Sequence, residues 1–368
     1  RSEDGRVIRT AIFGVGNVAS ALVQGVQHCR RNGADAVSLL LPDIGGYRPE
    51  DIDFVAAFDI DRRKVGEPLS QAIFACPNNT LAFEDGGDWS GVTVSAGRIL
   101  DGVSDPVRGA AEYGFLPIET GEGTRESIVE TLRASGAEVA INFMPVGSQQ
   151  ATEFYAECAI EAGVAFVNAI PVFIASNPKW AARFAEAGLP VLGDDFKGQV
   201  GATIVHRALV DLFKLRNAEV DCSYQLNVGG NTDFLNMVDE ERLASKRLSK
   251  TESVQSAAKS RFAARNLQIG PSDFVPWLKD RKVAFIRMEG RLFGGAPINV
   301  EVRMDVEDSP NAAVMAVAAI RLARLARDRG LKGAQPDISA FLFKHPPEQM
   351  RDDEGHRRIL EFIGRCAS

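Results

Sequence analysis

The sequence predicts an α/β fold: a doubly wound parallel sheet with an inserted α+β domain. Three observations predict it. An apolar run, "VIRTAIF" (7–13), leads straight into "GVGNVA" (14–19), a strand, glycine turn and helix start. From about 124 to 215, short apolar runs alternate with helix-patterned segments, the rhythm of successive βαβ units. After about residue 216 the runs lengthen and alternate apolar with polar, which suits an antiparallel sheet with one covered face.

In chain order, "VIRTAIFG" reads as a buried strand and "GVGNVASALVQGVQH" turns into a helix. Residues 30–52 are polar, contain Gly and Pro, and read as an insertion. "DFVAAFDID" is a second short strand ending in acids. Residues 77–123 are rich in Gly, Asp and Asn and read as irregular. "RESIVETLRASG" is then a helix stopped by Gly136, "AEVAINFMP" a strand and "QQATEFYAECAIEAG" an amphipathic helix. "VAFVNAIP" is a strand, "PKWAARFAEAG" a helix, "LPVLGDD" a strand and "GATIVHRALVDLFKL" a helix. "EVDCSYQLNV", "RKVAFIRMEGRLF" and "PINVEVRMDVE" are the long alternating strands. "SPNAAVMAVAAIRLARLARDRG" is a long helix with Ser309 as its expected N-cap, Pro310 in the first turn and Gly330 as the stop. The expected division is a dinucleotide-binding domain over 1–215, an α+β domain over 216–308 and a returning segment over 309–368.

Of the 368 residues, 45% are hydrophobic and 25% charged, the balance of an ordinary globular chain long enough for two domains. A net charge of −7 argues against general attraction to nucleic acid or anionic membrane. A phosphate site must therefore be a local basic pocket. Cys29, Cys76, Cys158, Cys222 and Cys366 are scattered, without CxxC or Cys/His metal spacing, and read as reduced thiols; no metal is expected. No signal-peptide core and no membrane-length apolar run occurs in this sequence, so the expected compartment is cytoplasmic. The first residue is Arg rather than Met, which leaves a trimmed leader open.

"GVGNVA" fits G-x-G-x-x-G/A. Gly14 permits the tight turn, Gly16 lets the backbone approach a pyrophosphate, and small Ala19 allows close helix–strand packing. Asn17 and Val18 open the helix, whose free N–H groups and dipole suit phosphates. Asp59 ends the next strand. It is a candidate for the ribose hydroxyls, favouring NAD over NADP, or simply a surface acid at a strand end. "NFMPVGS" (142–148) and "VNAIP" (167–171) lie at strand ends, which makes Asn142, Ser148 and Asn168 candidate contacts beside ordinary loop roles. "GDDFKGQVGAT" (193–203) is either a capping loop or an acid–lysine pair with a glycine anion cradle. "NVGGNTD" (227–233) raises the same choice. In "ERLASKRLSK" (241–250), Lys246 and Lys250 stand one helical turn apart, where like charges repel. They mark either a solvated face or one that meets an anion. His206, His345 and the other two histidines show no metal or relay spacing, and no GxSxG or Cys–His signature occurs.

Taken together, "GVGNVAS", "DDFKGQVGAT", "QLNVGGNTDFLNM", "SKRLSKTESV", "IGPSDFVPWLKDRK", "VEDSPNAA" and "PPEQ" resemble the inositol-phosphate synthase family in its shorter bacterial form. The resemblance runs through nearly the whole chain, most strongly from 137 to 312. It implies a Rossmann domain completed by the C-terminal segment, a central α+β domain that holds substrate and builds a homotetramer, and NAD used catalytically. The implied reaction oxidises glucose 6-phosphate at C5, enolises it, closes the ring on the C1 aldehyde and reduces the ring ketone. By position in the family, Lys246 and Lys344 serve the reacting oxygens, and Lys250 and Lys282 lie toward the oxyanion and phosphate. Asp195, Asp233 and Asp308 orient lysines. Asn231, Lys197, Gly198 and Gly230 fall on the substrate side, and Gly14, Gly16, Asn17, Val18, Asp59, Ser148 and Asn168 on the cofactor side. The chain departs from the family at Gly198, where a serine that contacts phosphate is usual, and at Phe341, where tyrosine is common. Glycine there is expected to open space beside the phosphate. These departures keep a second substrate in view: fructose 6-phosphate, closed to a five-membered carbocycle for carbocyclic nucleosides. A simple NAD-dependent sugar oxidoreductase, or a non-catalytic NAD-binding regulator, is the alternative of a different class.

Overall fold

The computed structural model describes residues 6–33, 38–84, 91–108, 110, 112–238, 240–258 and 261–364; the side chains of 240–247, 264, 271 and 272 are outside that description. The first half runs β1 (Ile8–Phe13), α1 (Asn17–Asn32), β2 (Ile52–Asp59), α2 (Leu69–Ala72), β3 (Val94–Ala96), α3 (Asp105–Arg108), α4 (Arg125–Ala134), β4 (Val139–Asn142), α5 (Gln149–Ala162), β5 (Ala165–Asn168), α6 (Pro178–Glu186), β6 (Pro190–Leu192) and α7 (Ala202–Leu215). The second runs β7 (Glu219–Gly229), α8 (Thr232–Asn236), α9 (Glu240–Gln255), β8 (Leu267–Phe274), β9 (Arg281–Arg291), β10 (Pro297–Glu307), α10 (Asp308–Asp328), β11 (Gly333–Ala334), α11 (Pro336–Leu342) and α12 (Asp352–Gly364).

The large sheet has the order β11-β6-β5-β4-β1-β2-β3, and every pairing in it is parallel. Chain order reverses at β1, between β4 and β2. That is the switch point at which open α/β sheets form a crevice beyond the strand carboxyl ends. Side-chain alternation along β1 feeds two cores. Ile8 and Ile12 face a cluster with α1 and α10, whereas Ala11 and Phe13 face one with α4, α5 and α6. Alanines line the buried side of α10, including Ala316, Ala319 and Ala323, so that helix lies close against the sheet. β11 adds the returning C-terminal segment to the same sheet, beside β6. No described helix is long and apolar enough to cross a membrane.

Several expectations need correction. The small sheet, β10-β9-β7-β8, is mixed: β7 and β8 pair in parallel, while β9 pairs antiparallel with both β7 and β10. A parallel pair needs a crossover, and α8 and α9 supply it. β8 lacks a strand pattern because it carries Gly270 and Pro271, and its register with β7 shifts between Asn227 and Val228. The stretch 77–123 contains β3, a three-residue strand too short to show a period, which extends the large sheet beside β2. Ser309 is not an N-cap. Glu307 holds that position and α10 starts at Asp308, while the Ser309 N–H and hydroxyl both bond Asp280.

Candidate active site

A cleft opens where the carboxyl ends of β1, β4 and β5 meet the small sheet. Its lining includes Gly16, Asn17 and Val18 together with Lys250, Lys282, Asp308 and Lys344.

The glycine turn is shaped by close packing. Gly14 has φ of 90°, and a Cβ there would stand 3.0 Å from the Phe143 carbonyl oxygen. A Cβ on Gly16 would meet nothing within 4 Å, so that side faces open space. No side chain caps α1, and its first N–H groups stand at the cleft wall. These features fit a dinucleotide pyrophosphate.

Asp59 holds the turn rather than lining the cleft. Its Oδ2 accepts from the Val15 N–H at 2.7 Å, and its Oδ1 from the N–H groups of Ile60 and Asp61, each at 2.8 Å. Beneath it lies Lys64, which the motifs did not point to. Its buried ammonium donates to the Val15 carbonyl at 2.7 Å and to Asn78 Oδ1 at 2.8 Å. Burial pushes the Lys64 amine below the usual lysine range, against the pull of Asp59 and Asp61. Asn17 lines the cleft, but its amide is engaged: Nδ2 donates to Asn79 Oδ1 and Asp280 Oδ1, and Oδ1 accepts from the N–H groups of Asn79 and Thr80.

The lysine side is assembled from distant segments. "DDFK" and "LFKH" form a short antiparallel pairing, in which the Phe196 and Phe343 rings stack with centroids 4.8 Å apart. This puts Lys344 Nζ 2.9 Å from Asp195 Oδ1, and Asp195 Oδ2 accepts from the Ser249 hydroxyl at 2.7 Å. Lys282 pairs with Asp308. Lys250 is buried on α9 and reaches the cleft, as does Asp233 from the first turn of α8. Lys246 lies on α9, but its side chain is outside the described residues. Asn231 caps α8 through Oδ1 and donates from Nδ2 to Asp280 Oδ1 at 3.0 Å. Gly198 lines the cleft beside Asn311.

Four expected contacts sit elsewhere. Lys197 is buried away from the cleft, with Nζ on Asp352 Oδ1 at 2.8 Å and the Ala340 carbonyl at 2.7 Å. Gly230 serves backbone packing: a Cβ would stand 2.4 Å from the Val275 carbonyl oxygen and 2.6 Å from the Lys279 nitrogen. The buried Ser148 hydroxyl donates to the Pro145 carbonyl at 2.5 Å. Asn168 is fully buried, bonding the Ile170 and Val172 carbonyls, Asp194 and Asn142. Asp194 itself accepts from Asn168 and from the segment 174–176, and burial pushes its carboxyl up to about 6.

The cleft also draws on polar groups outside those motifs. Ser223, Gln225 and Asn227 are buried polar groups at alternate positions of β7, and the last two line the cleft. Their neighbours Tyr224 and Leu226 are exposed. The signal was in "CSYQLNV", where the polar face is the covered one, the reverse of the ordinary pattern. Asp280, the acid of "KDRK", is likewise buried, against the lining residues Asn231 and Ser309.

Ammonium groups held by carboxylates in a part-buried cleft are suited to stabilising oxyanions and to binding a phosphate. A family model described as myo-inositol-1-phosphate synthase matches residues 201–309. Inositol-3-phosphate synthase of Mycobacterium tuberculosis strain H37Rv is 48% identical over 360 residues, covering 97% of this chain and 95% of that protein. The inositol-3-phosphate synthase of Mycolicibacterium smegmatis is 47% identical, covering 98% of this chain and 99% of its own. The crystal structure of Ari2 superposes with a TM-score of 0.78 at 34% identity, covering 97% of this chain and 98% of that one. With near-half identity over almost the full length, the chain belongs to the myo-inositol-1-phosphate synthase family of enzymes.

Proposed function

We propose that the protein is an NAD-dependent sugar-phosphate cyclase that converts glucose 6-phosphate to a myo-inositol phosphate. The observation that carries this reading is the meeting of a glycine-turn helix terminus and lysine–carboxylate pairs in one cleft. NAD, when bound, supplies reversible oxidation at C5 of the sugar. The chain's own groups do the remainder. Oxidation makes the C6 proton acidic, and the enolate formed by its loss needs a fixed positive partner in a water-poor site. Lys344, oriented by Asp195, and Lys246 serve the reacting oxygens. Lys250 and Lys282, the latter held by Asp308, lie toward the oxyanion and phosphate, and Asp233 orients a lysine. Asn231 and the backbone at Gly198 contact the substrate. The exposed apolar side chains Tyr224, Leu226 and Phe285 on the small sheet support a homotetramer built through that face.

A second reading takes fructose 6-phosphate to a five-membered cyclitol phosphate. It is favoured by Gly198, where the family's serine hydroxyl is replaced by the neighbouring Asn311 amide. The deciding experiment incubates the protein with NAD and each hexose 6-phosphate and identifies products by NMR. Inositol phosphate should accumulate from glucose 6-phosphate without net reduction of the nicotinamide. Stoichiometric reduction would mean a simple oxidoreductase, and a five-membered ring from fructose 6-phosphate would establish the second reading.

A further inference from the structure

Asp280 lies in the turn before β9, two residues from Lys282, and the chemistry above makes no use of it. It is 1% exposed. Oδ1 accepts from Asn17 Nδ2 at 3.2 Å, Asn231 Nδ2 at 3.0 Å and Ser309 Oγ at 2.8 Å. Oδ2 accepts from Thr80 Oγ1 at 2.6 Å and the Ser309 N–H at 3.1 Å. The Asp280 carbonyl also accepts from the Asp308 N–H at 3.0 Å. Among the described residues it forms no salt bridge.

The donors come from four separate segments: the first residue of α1, the loop at Thr80, the start of α8 and the start of α10. Two of them, Asn17 and Asn231, line the cleft. Burying a carboxylate is costly unless it is fully hydrogen-bonded. Only a group with two acceptor atoms can take this many donors; an asparagine would point an NH2 at one set of them. Burial, with the nearby charge of Asp308, pushes the Asp280 carboxyl up to about 6, against the pull of Thr80, Asn231 and Ser309.

We propose that Asp280 is a positioning residue that holds the glycine-turn helix at a set spacing from Asn231 and the Lys282–Asp308 pair, so that the cofactor side and the sugar side of the cleft form one unit. This rests on reading the cleft as an NAD site.

The test is a double-mutant cycle in NAD dissociation constant, measured by calorimetry at a temperature where circular dichroism shows every variant folded. Asp280→Asn should weaken NAD binding on the order of tenfold, the loss expected for hydrogen bonds to a charged group. Adding Asn17→Ala to Asp280→Asn should weaken it little further. At saturating NAD, turnover of Asp280→Asn should stay below wild type, because the Lys282–Asp308 pair is displaced as well. Where Asp280→Asn does not fold, the cycle is run between Asn17→Ala and Ser309→Ala, both of which lose a donor to Asp280 Oδ1. Additive losses, unchanged NAD affinity in folded Asp280→Asn, or full turnover at saturation would overturn the proposal. Failure of the wild type to bind NAD would instead remove the cofactor reading, and this inference with it.

Discussion

A Cβ at Gly198 would stand 2.5 Å from Asn311 Nδ2 and 3.0 Å from its Cγ. The space expected beside a phosphate is therefore filled by an amide. Val200 holds that amide at both ends, its N–H donating to Oδ1 at 3.0 Å and its carbonyl accepting from Nδ2 at 3.2 Å. A serine at 198 has to break these bonds, at roughly 1 kcal/mol each. Gly198→Ser alone should therefore lower kcat/KM for glucose 6-phosphate. Combined with Asn311→Ala it should recover and shift preference from fructose 6-phosphate toward glucose 6-phosphate. An unchanged ratio of the two kcat/KM values in the double variant would remove Gly198 from the specificity argument. Lys344 is the other residue where a single change is decisive. Its ammonium is held on Asp195 at the cleft wall. Lys344→Ala should cut turnover by on the order of 10²–10³-fold, as loss of an oxyanion donor does, while NAD affinity barely changes. Near-normal turnover would place the reacting oxygens elsewhere.

At the scale of elements, α7 packs on β7 through His206, which is fully buried. Its Nε2 meets Ser223 Oγ at 2.8 Å and its Nδ1 meets Gln225 Oε1 at 3.3 Å. Burial holds the imidazole down to about 4, against 6.5 for a free histidine. Between those values the unfolded chain binds a proton that the native state does not. Stability from this group is therefore present above the higher value and is lost as pH falls toward the lower one. Asp194 and Asp280 act oppositely. Burial raises both carboxyls to about 6, so their contribution falls as pH rises from the free value of 3.8. His206→Gln isolates the first effect. Its stability deficit against wild type, read from urea unfolding, should narrow by about 2 kcal/mol between about pH 7 and pH 5. A constant deficit would show that the native imidazole takes up its proton over the same pH range as the unfolded chain.

At the scale of the whole molecule, the C-terminal segment is what closes the site. It adds β11 to the large sheet, delivers Lys344, and places Asp352 against two buried cations. Asp352 Oδ1 lies 2.8 Å from Lys197 Nζ, and Oδ2 lies 2.7 Å from Arg207 Nε. Arg207 also donates to the Ser253 carbonyl on α9, the helix that carries Lys250. Burial pushes the Lys197 amine down to about 8 even beside Asp352, so removing the acid leaves a charge the interior does not tolerate. Asp352→Ala should cost roughly 3–5 kcal/mol of stability by the same denaturant measurement. A loss below about 1 kcal/mol would show that other groups already compensate these cations.

The chain's local patterns determined the class of the fold. Helices α4 to α7 and strands β4 to β6 fall where the periodicity places them, because a helix or strand sets which of its own residues share a face. The glycine turn was legible for the same reason: a tight turn with φ of 90° at Gly14 calls for glycine whatever surrounds it. Tertiary structure decided which polar side chains reach the cleft. Asn168 ends β5 as expected and Ser148 stands at the N-cap of α5 beyond β4, yet their side chains turn into the protein, and Lys197 points away from the cleft that Gly198 lines. Asp195 meets Lys344 across 149 positions, and Asp280 meets Thr80 across 200. A hydrogen bond or ion pair depends on distances of a few ångströms between side chains, and no spacing along the chain records which distant segments the fold will bring that close.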